Sequence, residues 1–213
     1  MRVIAVPVKS LDRAKGRLSA GLRPLERAAL TLAMLEDVLD ACLEIPGWQT
    51  WVISPDQAVL EVSARRRARP VAEHAPGLLA AVHQVEKEAG NADALAVVLG
   101  DLPLLTGDAL SSVLHTLGPV VAAPSVSDAG TNVLLRRPPG VIPARFGTDS
   151  FRKHREVSEL RGVPFGVVRS PELAFDLDRP EDIAVLLESR VPSRTRSACL
   201  ELGLRDRLIV PVD

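Results

Sequence analysis

The sequence predicts an α/β protein, a single domain over residues 1–213 built on a doubly wound, mostly parallel sheet. Three observations carry this. Leu95-Ala-Val-Val-Leu99 is a continuous apolar run, as expected of a strand covered on both faces. Similar runs, Val3–Val8 and Val120–Pro124, alternate along the chain with longer stretches of helical periodicity. The central run stops at Gly100-Asp101, and Pro103 cannot continue a ladder. A lone carboxylate is thus left at the carboxyl end of a central strand, where open α/β sheets bind ligands.

Composition narrows the class. Hydrophobic residues make up 46% and charged residues 25%, the balance of an ordinary soluble globular protein with a full core. The formal net charge is −1 and aromatics are only 3%, so neither a basic field nor stacking platforms point to nucleic acid. Cys42 and Cys199 have no metal-ligand spacing and form no disulfide framework, as expected of buried thiols in a reducing compartment. The N-terminal MRVIAVPVKS reads as a strand rather than a signal peptide, and no window approaches a membrane span. A cytoplasmic protein with no membrane partner is expected.

Taken in order, Val3–Val8 is the first buried strand. The loop after it, Lys9 to Leu18, is basic and holds two of the chain's four lysines, Lys9 and Lys15, with Arg13 and Arg17. It reads either as a phosphate-facing loop or as a solvated one. Pro24 to about Ile45 is an amphipathic helix with a first-turn proline, closed by Pro46-Gly47. Thr50–Ser54 is the second strand, and Ser54-Pro-Asp opens a short helix. Arg65-Arg-Arg-Ala-Arg69 reads as its solvated end. Pro70–Glu73 is the third strand. Gly77, before a helix from Leu78 to about Ala89, either admits a flat base or serves only as a turn.

After the central strand, Thr106 suits the N-cap of the next helix. Val120–Pro124 and Val133–Leu135 are strands, the second entered through Asp128-Ala-Gly-Thr-Asn132. Phe146-Gly-Thr-Asp-Ser-Phe151 leads into a helix carrying Arg152, Lys153, His154 and Arg155. Its hydroxyls and free amides either bind an anion or merely cap. Pro164–Val168 is a late strand. Alternation within a further strand, Phe175-Asp-Leu-Asp178, would put Asp176 and Asp178 on one side, ahead of a helix opened by Pro180. Beyond Pro192 the tail reads as one more helix and a short Leu-Ile-Val segment, which either packs back or meets a partner chain and leaves a homodimer open.

No GxxxxGK[ST] loop, GxGxxG fingerprint or GxSxG elbow is present, which disfavours P-loop, Rossmann and α/β-hydrolase chemistry. A basic first loop, Asp101 at a strand end and a late acidic pair remain. These parts suit Mg²⁺ held by Asp101, Asp176 and Asp178 over a nucleoside triphosphate, with Lys and Arg neutralising the rest.

The ordered set Pro7-Val-Lys9…Ala14-Lys-Gly-Arg-Leu18, Leu99-Gly-Asp-Leu-Pro103, Gly130-Thr131, Phe146-Gly-Thr-Asp-Ser150 and Asp176-Leu-Asp178 resembles the guanylyltransferases of deazaflavin coenzyme F420 biosynthesis. The resemblance runs from the first strand to about Asp182. It implies a GT-A-like nucleotidyltransferase fold and transfer of GMP from GTP to a phosphorylated three-carbon acid. That acid would be phosphoenolpyruvate, 2-phospho-L-lactate or phosphoglycerate. It further implies Asp101 and Lys15 as catalytic residues, and Asp101, Asp176 and Asp178 as Mg²⁺ ligands. Thr131, Gly147 and Ser150 would bind the acceptor. Lys9, Lys15, Arg17 and Gly77 would bind the nucleotide, with His154 at most a phosphate-side contact. The alternatives are a relative of the same fold with a molybdopterin or sugar-phosphate acceptor, or a catalytically silent binding protein.

Overall fold

The computed structural model describes residues 1–208. Its strands are β1 (Arg2–Pro7), β2 (Gln49–Ser54), β3 (Arg69–Ala72), β4 (Ala94–Val98), β5 (Val120–Pro124), β6 (Thr131–Arg136) and β7 (Phe165–Val167). They form one seven-stranded sheet in the order β3-β2-β1-β4-β6-β5-β7. Four of its six pairings are parallel; β6 runs antiparallel to both neighbours. The reversal follows from chain length, since the link from β5 to β6 is too short for a crossover and must return as a hairpin. It has a consequence for the site. The first residues of β6 lie beside the last of β4, with Leu99 N–H donating to the Asn132 carbonyl at 3.0 Å.

Helices cover both faces: α1 (Pro24–Leu43), α2 (Gln57–Arg65), α3 (Leu78–Ala89), α4 (Gly107–His115) and α5 (Ser150–Leu160). Successive strand side chains point to opposite faces. Ile4, Val6, Val52 and Val98 therefore join α1 and α4 in one core, while Val3, Ala5, Trp51 and Val97 join α3 in another. Helix α1 opens on Pro24 as expected but ends at Leu43, two residues short of the expected Ile45. The arginine cluster is not simply a solvated helix end. Arg66 pairs with Asp40, and Arg69 opens β3, with its guanidinium 3.9 Å from the Trp51 ring centre.

The C-terminal third adds α6 (Pro171–Ala174), α7 (Pro180–Glu188), α8 (Arg194–Glu201) and α9 (Leu204–Leu208), two helices where the tail was expected to have one. Of the Leu-Ile-Val segment, Ile209 and Val210 lie outside the described residues. Residues 175–178 form no strand, contrary to the alternation argument. The edge beside β5 is already taken by β7, and the Leu177 amide bonds the Asp101 carbonyl instead.

A third apolar cluster gathers Leu18, Leu104, Leu177, Ile183, Leu186, Cys199 and Leu204, and so ties the basic loop, the exit of β4 and the acidic segment to α7–α9. Asp37 on α1 accepts the amides of Arg194 and Thr195 at 2.7 and 3.0 Å and holds the start of α8. Arg207 on α9 spans both Glu26 oxygens at 3.1 Å and donates to the Gly21 carbonyl at 3.0 Å. Arg207, followed by Arg23, draws the Glu26 carboxyl down to about 2. Both cysteines are free and buried, and burial pushes the Cys199 thiol up to about 12.

Leu204 is fully buried in this third cluster. Leu204→Ala is expected to lower unfolding free energy by about 2–5 kcal/mol, by lost transfer energy plus the cavity left behind. Urea denaturation measures it.

Candidate active site

Asp101 stands just past β4, and the glycine before it permits the approach. A Cβ at Gly100 would lie 3.0 Å from Val8 Cγ2 and 3.4 Å from the Pro7 carbonyl, so a larger residue would have to push its neighbours back by a few tenths of an ångström for this turn to lie against β1. One Asp101 oxygen, Oδ2, accepts from Lys15 Nζ at 2.8 Å. The other, Oδ1, is buried and has no hydrogen-bond partner.

The basic loop brings Lys15 there by an unusual backbone turn. Lys15 sits at φ +53°, a left-handed conformation costing a non-glycine residue about 1–2 kcal/mol. The short 3-10 helix that follows, Gly16–Ala20, is anchored by buried Leu18. The Lys15 ammonium lies between two acids, 2.8 Å from Asp101 and 3.5 Å from Asp178, on a side chain only 6% exposed. Arg17 reaches the other Asp178 oxygen at 2.5 Å.

The acidic segment is held from both ends. Leu177 is buried, and its amide donates to the Asp101 carbonyl at 3.1 Å. The amides of Asp178 and Arg179 donate to Asp182 at 2.8 and 2.6 Å, closing the start of α7. Asp176 turns toward Ser125 and Ser127, whose hydroxyls donate to it at 2.8–3.0 Å. Burial raises the Asp176 carboxyl above its ordinary range. The two serines oppose that shift, while the charges of Asp101 and Asp128 add to it.

Thr131, Gly147 and Ser150 form a second cluster. Thr131 is the first residue of β6 and Ser150 the first of α5; their hydroxyl oxygens lie 3.2 Å apart. Gly147 has φ +117°, which L residues rarely adopt, and its carbonyl accepts the Ser150 amide at 3.1 Å. Behind them His154, fully buried, contacts Thr131 Oγ1 through Nδ1 at 3.0 Å and the Arg145 amide through Nε2 at 2.8 Å. Burial, with Arg136 and Arg145 nearby, lowers its imidazole to about 3.

A cavity of about 810 Å³ opens between the basic loop and the turn before α3. Lys9, Lys15, Glu73, Gly77, Asp101 and Asp178 are among its lining residues; Arg17, Asp176 and the Thr131–Ser150 cluster are not. The structure thus joins most of the expected nucleotide side to two of the three expected acids. The hydroxyl cluster connects through the 125–131 loop, which carries the two serines on Asp176. Lys15 and Arg17 are paired with acids rather than free, and Gly77, at φ +114°, donates its amide to Glu73 at 3.0 Å.

Several members escaped the sequence reading. Ser125 and Ser127 alternate just after β5, a spacing that could have flagged them. Asn132 follows Thr131 directly; its amide donates to the Leu173 and Ala174 carbonyls at 3.0 and 3.2 Å and anchors the residues just before Asp176. Glu73 gave no signal beyond its place near Gly77.

The donor set fits a hard divalent cation. Mg²⁺ is bound by one or two carboxylates, with phosphate oxygens and water filling the remainder. Asp101 has an unpartnered buried oxygen, and Asp101 and Asp178 flank a positive charge. Among the described residues no three acidic, His or Cys side chains converge into a ready-made metal cage. A site completed by substrate phosphates needs none.

Residues 1–197 match the family described as "Guanylyl transferase CofC like". The chain belongs to this family. A CofC-like relative from Rubrobacter xylanophilus, named phosphoenolpyruvate guanylyltransferase, is 41% identical over 87% of this chain and 94% of its own. A second protein of that name, from Sphaerobacter thermophilus, is 38% identical over 86% and 91%. One from Phenylobacterium zucineum, named 3-phospho-D-glycerate guanylyltransferase, is 34% identical over 91% and 93%. The CofC-like chain also superimposes on solved nucleotidyltransferases. A candidate nucleotide-diphospho-sugar transferase from Desulfovibrio desulfuricans aligns at TM-score 0.77 and 19% identity over 98% of this chain and 97% of that one. A nucleotidyl transferase from Methanothermobacter aligns at 0.58 and 18%, over 87% and 95%. The CofC-like chain has the GT-A-like nucleotidyltransferase fold. Among the described residues no helix is long and apolar enough to cross a membrane.

The raised Asp176 carboxyl sets an expected pH dependence. A carboxyl whose folded-state pKa lies above its unfolded value contributes stability that is lost as pH rises through the folded value. Asp176→Asn, which has no charge to desolvate, is therefore expected to melt higher than wild type near pH 7. That advantage should shrink as the solution is acidified into the carboxylate range. Calorimetric melting across this range checks both.

Proposed function

We propose that the protein transfers GMP from GTP to the phosphate of a three-carbon acid, phosphoenolpyruvate foremost, releasing pyrophosphate in coenzyme F420 biosynthesis. The observation that carries this reading is the pair of acids about Lys15. Asp101 and Asp178 come from distant parts of the chain and converge on one ammonium at the wall of a nucleotide-sized cavity. The names of the relatives support the same chemistry. The Phenylobacterium relative supports a second acceptor, 3-phosphoglycerate.

In this reading the base lies toward Gly77. Glu73 supports guanine there: a carboxylate accepts from N–H groups such as those on guanine's edge, and it repels phosphate. The triphosphate runs toward Lys9, Lys15 and Arg17, and the acceptor phosphate sits on Thr131, Gly147 and Ser150. A divalent cation such as Mg²⁺, held by Asp101 and Asp178 with Asp176 beside them, supplies charge neutralisation at the phosphates when bound.

The acceptor phosphate is largely ionised near neutral pH, because its second pKa is about 6. One of its oxygens forms a bond to the α-phosphorus, the α–β bridging P–O bond breaks, and the electron pair leaves on pyrophosphate. No proton moves, so no general base is needed. The difficulty is electrostatic. Two unit charges about 4 Å apart repel by roughly 4 kcal/mol at an effective dielectric of 20, and several such pairs are brought together. The lysines and Arg17 offset these terms, while the hydroxyl cluster holds the nucleophile in line.

Asp101→Asn should fold with an unchanged circular dichroism spectrum and lose about 100-fold or more in turnover, the scale of removing one electrostatic stabiliser. Pyrophosphate release measures this, with GTP, ATP, CTP and UTP each offered phosphoenolpyruvate, 2-phospho-L-lactate and 3-phosphoglycerate. Full activity in the variant, or no GTP-dependent product by mass, overturns the reading.

A further inference from the structure

The buried imidazole behind the hydroxyl cluster has no part in the transfer chemistry, yet its bonding is fully directional. We propose that His154 is a positioning residue that forces the Thr131 hydroxyl to present its proton, rather than a lone pair, to an anionic acceptor. This rests on the reading of Thr131 and Ser150 as the acceptor subsite.

The argument starts at the far nitrogen. A backbone N–H can only donate, so the Arg145 amide, 2.8 Å away, makes Nε2 an acceptor. The neutral ring then carries its one proton on Nδ1, an assignment that follows from the hydrogen-bond network. Nδ1 lies 3.0 Å from Thr131 Oγ1 and donates to it. Ser150 Oγ donates to the same oxygen at 3.2 Å. A hydroxyl has two lone pairs and one proton. Both lone pairs are now filled and the Ser150 proton is used on one of them, so of the two hydroxyls Thr131 alone has a proton left to offer, and Ser150 bounds the subsite without donating to it.

The surroundings hold this arrangement. His154 is fully buried and Thr131 only 2% exposed, so water does not compete for the lone pairs. Phe146 packs edge-on against the imidazole at 5.3 Å between ring centres, which fixes the ring plane. Burial disfavours a protonated ring, which would carry a second N–H aimed at the Arg145 amide. Phosphate and carboxylate oxygens near neutral pH accept hydrogen bonds and do not donate them. A threonine locked as a donor therefore discriminates for an anion and against a hydroxyl or amine that needs an acceptor at that point.

The test uses the full chain with GTP and phosphoenolpyruvate. His154→Leu keeps bulk against Phe146 but removes the donor. It is expected to raise the phosphoenolpyruvate KM about tenfold while the GTP KM stays within about twofold, the scale of one misdirected hydrogen bond to a charged group. His154→Asn places an amide N–H near the position of Nδ1 and is expected to recover most of the loss; His154→Gln, with its amide near Nε2, is not. In a Thr131→Val background, His154→Leu should add nothing further to the acceptor KM. That silence separates positioning of Thr131 from a general loosening of the fold.

If Thr131→Val raises the acceptor KM but His154→Leu does not, the positioning role is overturned and the acceptor subsite stands. If Thr131→Val leaves the acceptor KM unchanged, the subsite reading fails and the proposal with it. Should the leucine variant not fold, equal acceptor KM values for the Asn and Gln variants overturn it.

Discussion

The amide of Leu177 bonded to the carbonyl of Asp101 is the joint on which the site depends. It fastens a late, irregular segment to the exit of a central strand. The side chain of the same residue is buried among Leu18, Leu104 and Ile183. Asp176 and Asp178 are therefore placed by the apolar residue between them. Neither acid needs a sheet ladder to hold it, since the amide and the side chain of Leu177 fix position and orientation together.

Around this joint the charges are balanced locally. Lys15 and Arg17 meet Asp178, and Lys15 also meets Asp101. On the other side of Asp176 the cluster of Thr131, Ser150 and His154 carries no net charge, and its polarity comes from oriented hydroxyls. In the proposed reading the cavity wall and the hydroxyl cluster, which does not line it, would meet anions by different means. One uses full charges with a nearly buried lysine, and the other uses preorganised dipoles whose desolvation cost has already been met by hydrogen bonding.

What was legible in the sequence follows from what is local. A strand covered on both faces writes itself as an unbroken apolar run, so Asp101 stood out as the residue that ends it. The acid–apolar–acid triplet at 176–178 was visible for the same reason, although its backbone proved not to form a strand. The antiparallel course of β6 was implicit in the short link after β5, but the apolar run alone has no direction. The partners of Asp176 lie some fifty positions away, Ser125 and Ser127 being 51 and 49 residues distant, and no local pattern encodes such pairings. His154 was underestimated because burial is a property of the packed helix. Its neighbours in sequence are arginines and a lysine, which suggest a solvated face.

The grip of Arg207 on Glu26 and Gly21 joins positions 181 and 186 residues apart. Closing so long a loop costs only modestly more entropy than closing a short one, because the cost grows with the logarithm of length. Order in time is another matter. During synthesis the stretch that carries Lys15 and Arg17 emerges long before its clamp, which follows Gly21 by 186 residues. The early half of the sheet can pair as soon as β1, β2 and β4 are made, but the basic loop keeps an unfinished flank until α9 has been made. A nascent protein with a formed sheet is, by this construction, still an open-handed one.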